Sequence, residues 1–253
     1  MTYIVTGAAG FIGANIIQGL NARGIKNIIA VDELNPADKY RNLADLEIAD
    51  YLDKSEFLTA FSKGHFGKAT AVFHEGACSD TMETDGQYMM ANNYRYSIDL
   101  LNICTEHHVP FLYASSAATY GQPDSSRVTE SAQCAPTNPY GETKLAIERE
   151  LSTAALTQGV AGVSLRYFNV AGALQTNRGW LAERHDPETH LIPNALRASS
   201  ESPLRIFGRD WNTPDGTCVR DYVHIIDLID AHIRALKFLE ASTHHVFNIG
   251  SGT

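Results

Sequence analysis

Cysteine is scarce in this chain of 253 residues: Cys78, Cys104, Cys134 and Cys218 stand far apart, with no CxxC pair among them. That spacing offers neither a disulfide framework nor a zinc ribbon, so reduced thiols and a cytoplasmic setting are expected. Long apolar runs are missing as well; nothing approaches the roughly 20 residues that cross a bilayer. Met1-Thr2-Tyr3-Ile4-Val5 carries no basic stretch, and no signal peptide is expected. Positive charge is in deficit, 20 Lys and Arg against 29 Asp and Glu, the wrong balance for neutralising nucleic-acid phosphates. The expected partner is therefore a small molecule, neither nucleic acid nor membrane. His74, His107, His108, His190, His224, His244 and His245 form no HExxH pattern and read as surface or core residues, with no metal expected.

What is present is ordinary globular composition, 44% hydrophobic and 19% charged, without repeats or low-complexity tracts. Short apolar runs alternate with longer amphipathic ones, the pattern of βαβ units around a parallel sheet. Strands are expected at 3–6, 27–31, 71–74, 111–114 and 163–167. Helices are expected at 11 to about 23, 53 to about 62, 88–108 and 139 to about 157, the last opened by the cap pair Asn138-Pro139. Further on, 180–190 is polar and irregular, 212–216 is turn-rich, 227 to about 240 is a helix and 246–249 a strand. The fold class is α/β, a Rossmann-type doubly wound parallel sheet. Residues 1–170 form its dinucleotide-binding part, and 171–253 add segments of a small C-terminal substrate-binding lobe and returning elements of one integrated domain.

Two motifs carry chemistry. Gly7-Ala8-Ala9-Gly10-Phe11-Ile12-Gly13 lies between the first strand and helix, where glycines let backbone N–H groups approach a pyrophosphate at the helix start. Asp32, ending the second strand, is placed to take the ribose hydroxyls of NAD. Lys39 and Lys54 are nearby cations that could instead accept the 2′-phosphate of NADP, so both cofactors stay open. Asp50 is either an adenine contact or a surface-turn residue. The second motif is Tyr140-Gly141-Glu142-Thr143-Lys144: of eleven tyrosines only Tyr140 has a lysine four residues on, which puts phenol and ammonium on one helix face. Ser116 follows a predicted strand, and the three side chains can converge at the C-terminal edge of a parallel sheet. A tyrosine base at neutral pH needs its pKa lowered by about 3 units from 10, and Lys144 with a positively charged nicotinamide is the expected source.

The Gly7–Gly13 turn with Ser116, Tyr140 and Lys144 resembles the extended short-chain dehydrogenase/reductase family of nucleotide-sugar epimerases and dehydratases. The resemblance covers essentially the whole chain and is mosaic. Residues 1–121, including Ala49 to Lys54, Phe73 to Ser79 and Tyr88 to Asn93, are similar to ADP-L-glycero-D-manno-heptose 6-epimerases. From Pro136 onward the chain is similar to UDP-glucose 4-epimerases, through Leu165 to Gly172, Pro187 to Pro193 and Thr213 to Tyr222. The first half then implies cofactor contacts from Gly7, Gly10, Phe11, Ile12, Gly13, Asp32, Glu33, Lys39, Lys54, Glu75, Gly76, Ala77, Cys78, Ser79 and Asn92, with Tyr140 and Lys144. The second implies substrate contacts: Asn169 near the phosphates, Leu191 and Ile192 beside the base, and Arg220 on the pyrophosphate, unless Asp221 or Asp227 holds Arg220 in a salt bridge. Ser116 would bind the reacting oxygen.

The resembled heptose epimerases carry a second catalytic lysine about where Arg178 falls, and no lysine occurs between Lys144 and Lys237. Arginine is a poor base. Arg178 is thus expected as a substrate contact only, and the reading favours 4-epimerisation of a UDP-hexose through a 4-keto intermediate. ADP-heptose 6-epimerisation is the alternative. A 4,6-dehydratase is disfavoured, because Ala117-Ala118 follow Ser116 where related dehydratases have an Asp-Glu pair. The resemblance also implies a homodimer or higher homo-oligomer. In the resembled families a substantial segment follows the strand and glycine turn that here is Phe247 to Thr253, so an incomplete substrate lobe is expected. A non-catalytic dinucleotide-binding fragment is the reading of another class.

Overall fold

The computed structural model describes residues 1–35, 37–123, 127–185 and 188–252. Its strands are Thr2–Thr6 (β1), Ile28–Asp32 (β2), Asp50–Asp53 (β3), Ala69–His74 (β4), Phe111–Ser116 (β5), Gly162–Tyr167 (β6), Asn169–Ala171 (β7), Ala173–Thr176 (β8), Gly179–Ala182 (β9), Tyr222–His224 (β10) and His244–Ile249 (β11). Its α-helices are Phe11–Asn21 (α1), Lys54–Ser62 (α2), Gly86–Met89 (α3), Tyr96–Glu106 (α4), Pro139–Gln158 (α5), Leu191–Arg197 (α6) and Ile225–Ala235 (α7). Seven strands make one sheet in the order β11-β6-β5-β4-β1-β2-β3, every neighbour pair parallel. The chain winds outward from β1 in both directions, so the β1/β4 boundary is the topological switch point where α/β sheets place ligands.

Burial explains the arrangement. Strand residues alternate faces, and in β1 Tyr3 and Val5 join one core while Ile4 joins the other. The first core is closed by Ile16, Ile17 and Leu20 of α1 and Leu228 and Ile229 of α7. The second is closed by Phe57 and Phe61 of α2, Leu100 and Leu101 of α4, and Ile147 and Leu151 of α5. With helices on both faces, β2 and β6 are buried at every residue. Two polar residues set helix starts: Asp53 accepts from Ser55 N–H at 2.9 Å, and Asn138 accepts from Gly141 N–H at 2.8 Å with Pro139 in the first turn.

Several elements differ from the sequence expectation, three of them as follows. The 88–108 helix is interrupted: α3 passes into a π-helical segment, Met90–Arg95, before α4. The widened turn brings Asn93 against the loop after β4, where its amide accepts from Cys78 N–H at 2.7 Å and donates to Cys78 C=O at 2.9 Å. Strand β5 runs two residues further than expected, making Ser116 its last residue. Trp180, read as part of an irregular stretch, lies in β9, which pairs antiparallel with β8; four-residue strands are too short for alternation to announce.

His74, at the end of β4, is buried with Thr6 Oγ1 2.6 Å from Nδ1 and Ser97 Oγ 2.7 Å from Nε2. Burial, with the Lys144 charge adding to it, draws its pKa down to about 3. An unfolded histidine titrates near 6.5, so between that value and about 3 the unfolded chain binds the extra proton. Stability is therefore undiminished above pH 6.5 and falls as pH drops through this window, by an amount on the order of a few kcal/mol. Urea unfolding against pH is expected to show that acid limb in the parent protein and a flatter one in His74→Gln.

Candidate active site

Backbone contact builds the turn after β1. Gly7 has φ +65°, in the left-handed region, and a Cβ there would meet Gly76 N at 2.7 Å and Glu75 C at 2.9 Å. A Cβ on Gly13 would lie 2.2 Å from Gly7 O. The β1 turn, α1 and the loop after β4 thus touch main chain to main chain. Gly10 is the N-cap of α1 and offers no side chain to its free N–H groups, which leaves a helix start suited to a pyrophosphate. The cradle fits a dinucleotide. Gly13→Val is expected to cost about 1–3 kcal/mol of stability by overpacking and to weaken NAD binding about tenfold or more, read by calorimetric titration.

Asp32, 7% exposed, closes the turn: Oδ2 accepts from Ala9 N–H, and Oδ1 from Glu33 N–H and the Lys39 ammonium, each at 2.7 Å. Lys54 pairs with Glu33 and donates to Asn92 Oδ1 at 3.3 Å. Both cations read as 2′-phosphate acceptors are therefore tied to carboxylates. Phe11 and Ile12 are half-buried against the first core. Gly76 donates its N–H to Thr6 Oγ1 at 3.2 Å; Ala77 and Cys78 are half-buried, Ser79 is exposed, and burial pushes the Cys78 thiol up. Asp50 opens β3 and is exposed. It sits beside Ile29, whereas Asp53 is registered with Asp32, and its carboxylate accepts from Tyr51 N–H. Three residues of strand, about 10 Å, separate it from Asp32.

Ser116, Tyr140 and Lys144 converge where β5 meets α5. The Tyr140 phenol hydrogen-bonds Ser116, whose Oγ also accepts from Ala118 N–H at 3.1 Å. Buried Lys144 donates to Ala114 C=O at 2.7 Å and stands 5.0 Å from the Tyr113 ring centre and 5.6 Å from that of Tyr140. The electrostatics depart from the sequence expectation. Burial pushes the Tyr140 phenol up to about 12, against the lowering effect of the Ser116 hydrogen bond. Burial also draws Lys144 down to about 8, with Glu75 and Glu148 partly offsetting it. In the protein alone desolvation outweighs any gain from the cation, and Tyr140 is a neutral phenol.

The residues expected to bind substrate are less closely gathered. Asn169 donates its amide to Asp221 C=O at 2.8 Å, tying β7 to the entry of β10. Arg178, in the β8–β9 turn, pairs with Asp45 at 3.1 Å. Leu191 and Ile192 open α6 and are exposed. Arg220 donates to Val219 C=O and lies over the Trp211 ring. Asp221 does not pair with it, accepting instead from Ser251 and Gly252 N–H.

Two buried polar groups lie behind the site; sequence reasoning missed Glu148 with its partners, and missed Tyr167 and His232 beside Glu75. Glu148 takes a two-pronged contact from Arg166, at 2.9 and 2.5 Å, and a hydrogen bond from Ser115 at 2.5 Å. Its signal was available: Tyr140, Lys144 and Glu148 repeat every four residues on one face of α5. Glu75, Tyr167 and His232 form the other, with Tyr167 OH 2.9 Å from Glu75 Oε2 and 2.5 Å from His232 Nε2. No local pattern links those three.

A doubly wound sheet with a glycine cradle at its switch point and Ser, Tyr and Lys at the adjoining strand end defines a dinucleotide-dependent enzyme of the Rossmann class. More specifically, the chain belongs to the NAD dependent epimerase/dehydratase family, whose model matches residues 3–250. It is similar to the UDP-glucose 4-epimerase of Brucella ovis solved with NAD, at 32% identity and TM-score 0.84, covering 100% of this chain and 78% of that one. A Stenotrophomonas maltophila UDP-glucose 4-epimerase with bound NAD and formylated UDP-arabinopyranose matches at 31% identity and TM-score 0.88, covering 100% and 79%. A UDP-glucuronic acid 4-epimerase of Bacillus cereus, in complex with UDP-glucuronic acid and NAD, matches at 28% and 0.80, covering 99% and 77%.

Proposed function

We propose that this protein is an NAD-dependent nucleotide-sugar 4-epimerase acting on a UDP-hexose, UDP-glucose and UDP-galactose foremost. The observation that carries the reading is the Ser116–Tyr140–Lys144 group at the sheet edge beside the glycine cradle. NAD, when bound, supplies a reversible acceptor for the C4 hydride. Tyr140 takes the proton of the sugar 4-hydroxyl and returns it after the 4-keto sugar has turned its other face. Ser116 holds the reacting oxygen, and Lys144 positions the phenol and the nicotinamide ribose. The pairing of Lys39 and Lys54 with carboxylates favours NAD over NADP.

The sugar assignment is supported by the similarity to solved UDP-hexose 4-epimerases and by Arg178, which the resemblance sets about where 6-epimerases carry a second base and which is held by Asp45. The exposed Arg220 guanidinium, paired with no carboxylate among the described residues, suits a pyrophosphate. The reading extends to a homo-oligomer, as in the resembled family. The test is incubation of NAD-loaded protein with UDP-galactose, UDP-glucuronic acid and ADP-heptose in separate tubes, products resolved by NMR. Conversion of a UDP-hexose is expected. Conversion of ADP-heptose alone would reassign the substrate, and NAD binding without any turnover would leave a dinucleotide-binding protein.

A further inference from the structure

The segment between β9 and α6 gathers two imidazoles and two carboxylates. Donor atoms of Glu183, His185 and His190 all lie within 4.8 Å of one another. Glu183 Oε2 is 2.7 Å from His190 Nδ1, and Glu188 Oε1 is 3.2 Å from His185 Nδ1. The two imidazole rings stand 4.6 Å apart, centre to centre. Both carboxylates are deep: the Glu183 side chain is 8% exposed and that of Glu188 3%.

Glu188 supplies an independent observation. Its Oε1 accepts from Thr189 and His190 N–H at 3.1 and 3.0 Å. Its Oε2 is buried without a hydrogen-bond partner among the described residues and has only a long ion pair, to the Arg197 guanidinium at 3.9 Å. A closer cation would satisfy such a buried oxygen better.

We propose that Glu183, His185 and His190 form a site for one divalent zinc-class ion, with Glu188 beside His185. The donor set, imidazole nitrogen with carboxylate oxygen, suits zinc rather than calcium or magnesium, which take oxygen ligands. Tetrahedral zinc with bonds of about 2.0–2.1 Å holds its donors about 3.3 Å apart. The donor atoms of Glu183, His185 and His190, all within 4.8 Å of one another, would have to close by up to about 1.5 Å to reach that spacing. One doubly charged ion would neutralise both carboxylates while leaving the imidazoles neutral. With three protein ligands the site leaves a fourth position for water. It fixes the segment that leads directly into Leu191 and Ile192.

The competing arrangement is two separate imidazole–carboxylate pairs with no ion. Chelator-treated full-length protein titrated with zinc chloride against a chromophoric chelator separates the two. One tightly bound equivalent is expected in the parent, weakened about 100-fold or more in His185→Gln and in His190→Gln. Zinc should raise the parent's melting temperature and leave that of the double variant unchanged. Cobalt in place of zinc should give the intense visible absorption of a tetrahedral site. Failure of the parent to bind at low micromolar free zinc, or equal affinity in the double variant, overturns the proposal. Far-UV circular dichroism checks folding, and Glu183→Gln repeats the test without removing an imidazole.

Discussion

Tyr140→Phe is expected to lower turnover about 10²–10⁴-fold, the usual contribution of a positioned acid/base, while NAD affinity changes little. The phenol is the group that would exchange a proton with the sugar hydroxyl, and removing one oxygen leaves the ring and its neighbour Lys144 in place. The glycine cradle and Asp32 lie on other elements and are untouched. The protein alone pushes the phenol up to about 12, so at neutral pH almost none is ionised. A lowered value must then come from the cofactor's positive charge acting in the same desolvated space. Ultraviolet difference titration of parent against Tyr140→Phe is expected to show one tyrosine ionising at lower pH with oxidised NAD than without it. The rate should rise with pH through that lower value, because the base form is the deprotonated one. Epimerisation retained in Tyr140→Phe would remove Tyr140 from the role of base.

The parts of this molecule written locally were legible in the sequence. Gly7 and Gly13 sit between a strand and a helix, where a Cβ would collide with backbone, and Asn138-Pro139 is a helix start in any context. The YxxxK pair needed only helical periodicity. Features made by distant segments were not legible. The π-helical turn at Met90–Arg95 is held in part by Asn93 bonding to Cys78 fifteen residues earlier, and no periodicity announces that. Which of two aspartates neighbours Asp32 was not legible either: the register of β3 decides it, and parallel pairing with β2 puts Asp53 there and Asp50 beside Ile29. The tyrosine's electrostatics were legible only in part: sequence spacing shows a nearby cation but not the desolvation that outweighs it in the protein alone.

Breaking the Glu148–Arg166 pair is expected to have the largest effect on stability. Glu148 is 4% exposed and Arg166 6% as side chains, and the arginine also donates to Tyr120 OH at 2.8 Å. Glu148→Ala would strand the guanidinium among apolar strands β5 and β6, a loss of about 3–5 kcal/mol for one half of a buried pair. The pair itself need not be a net source of stability, because both charges were taken out of water to form it. Glu148→Leu combined with Arg166→Met is therefore expected to recover most of the loss. Activity should separate from stability in that double variant. Glu148 follows Lys144 by one helical turn, and Ser115, which it holds, precedes Ser116 in β5. Apolar replacements restore packing but not the hydrogen bond that fixes the strand end, so turnover should stay below that of the parent once urea midpoints have been matched. A single variant losing less than about 1 kcal/mol in urea unfolding would mean that water reaches Arg166, and that the contact behaves as a surface ion pair.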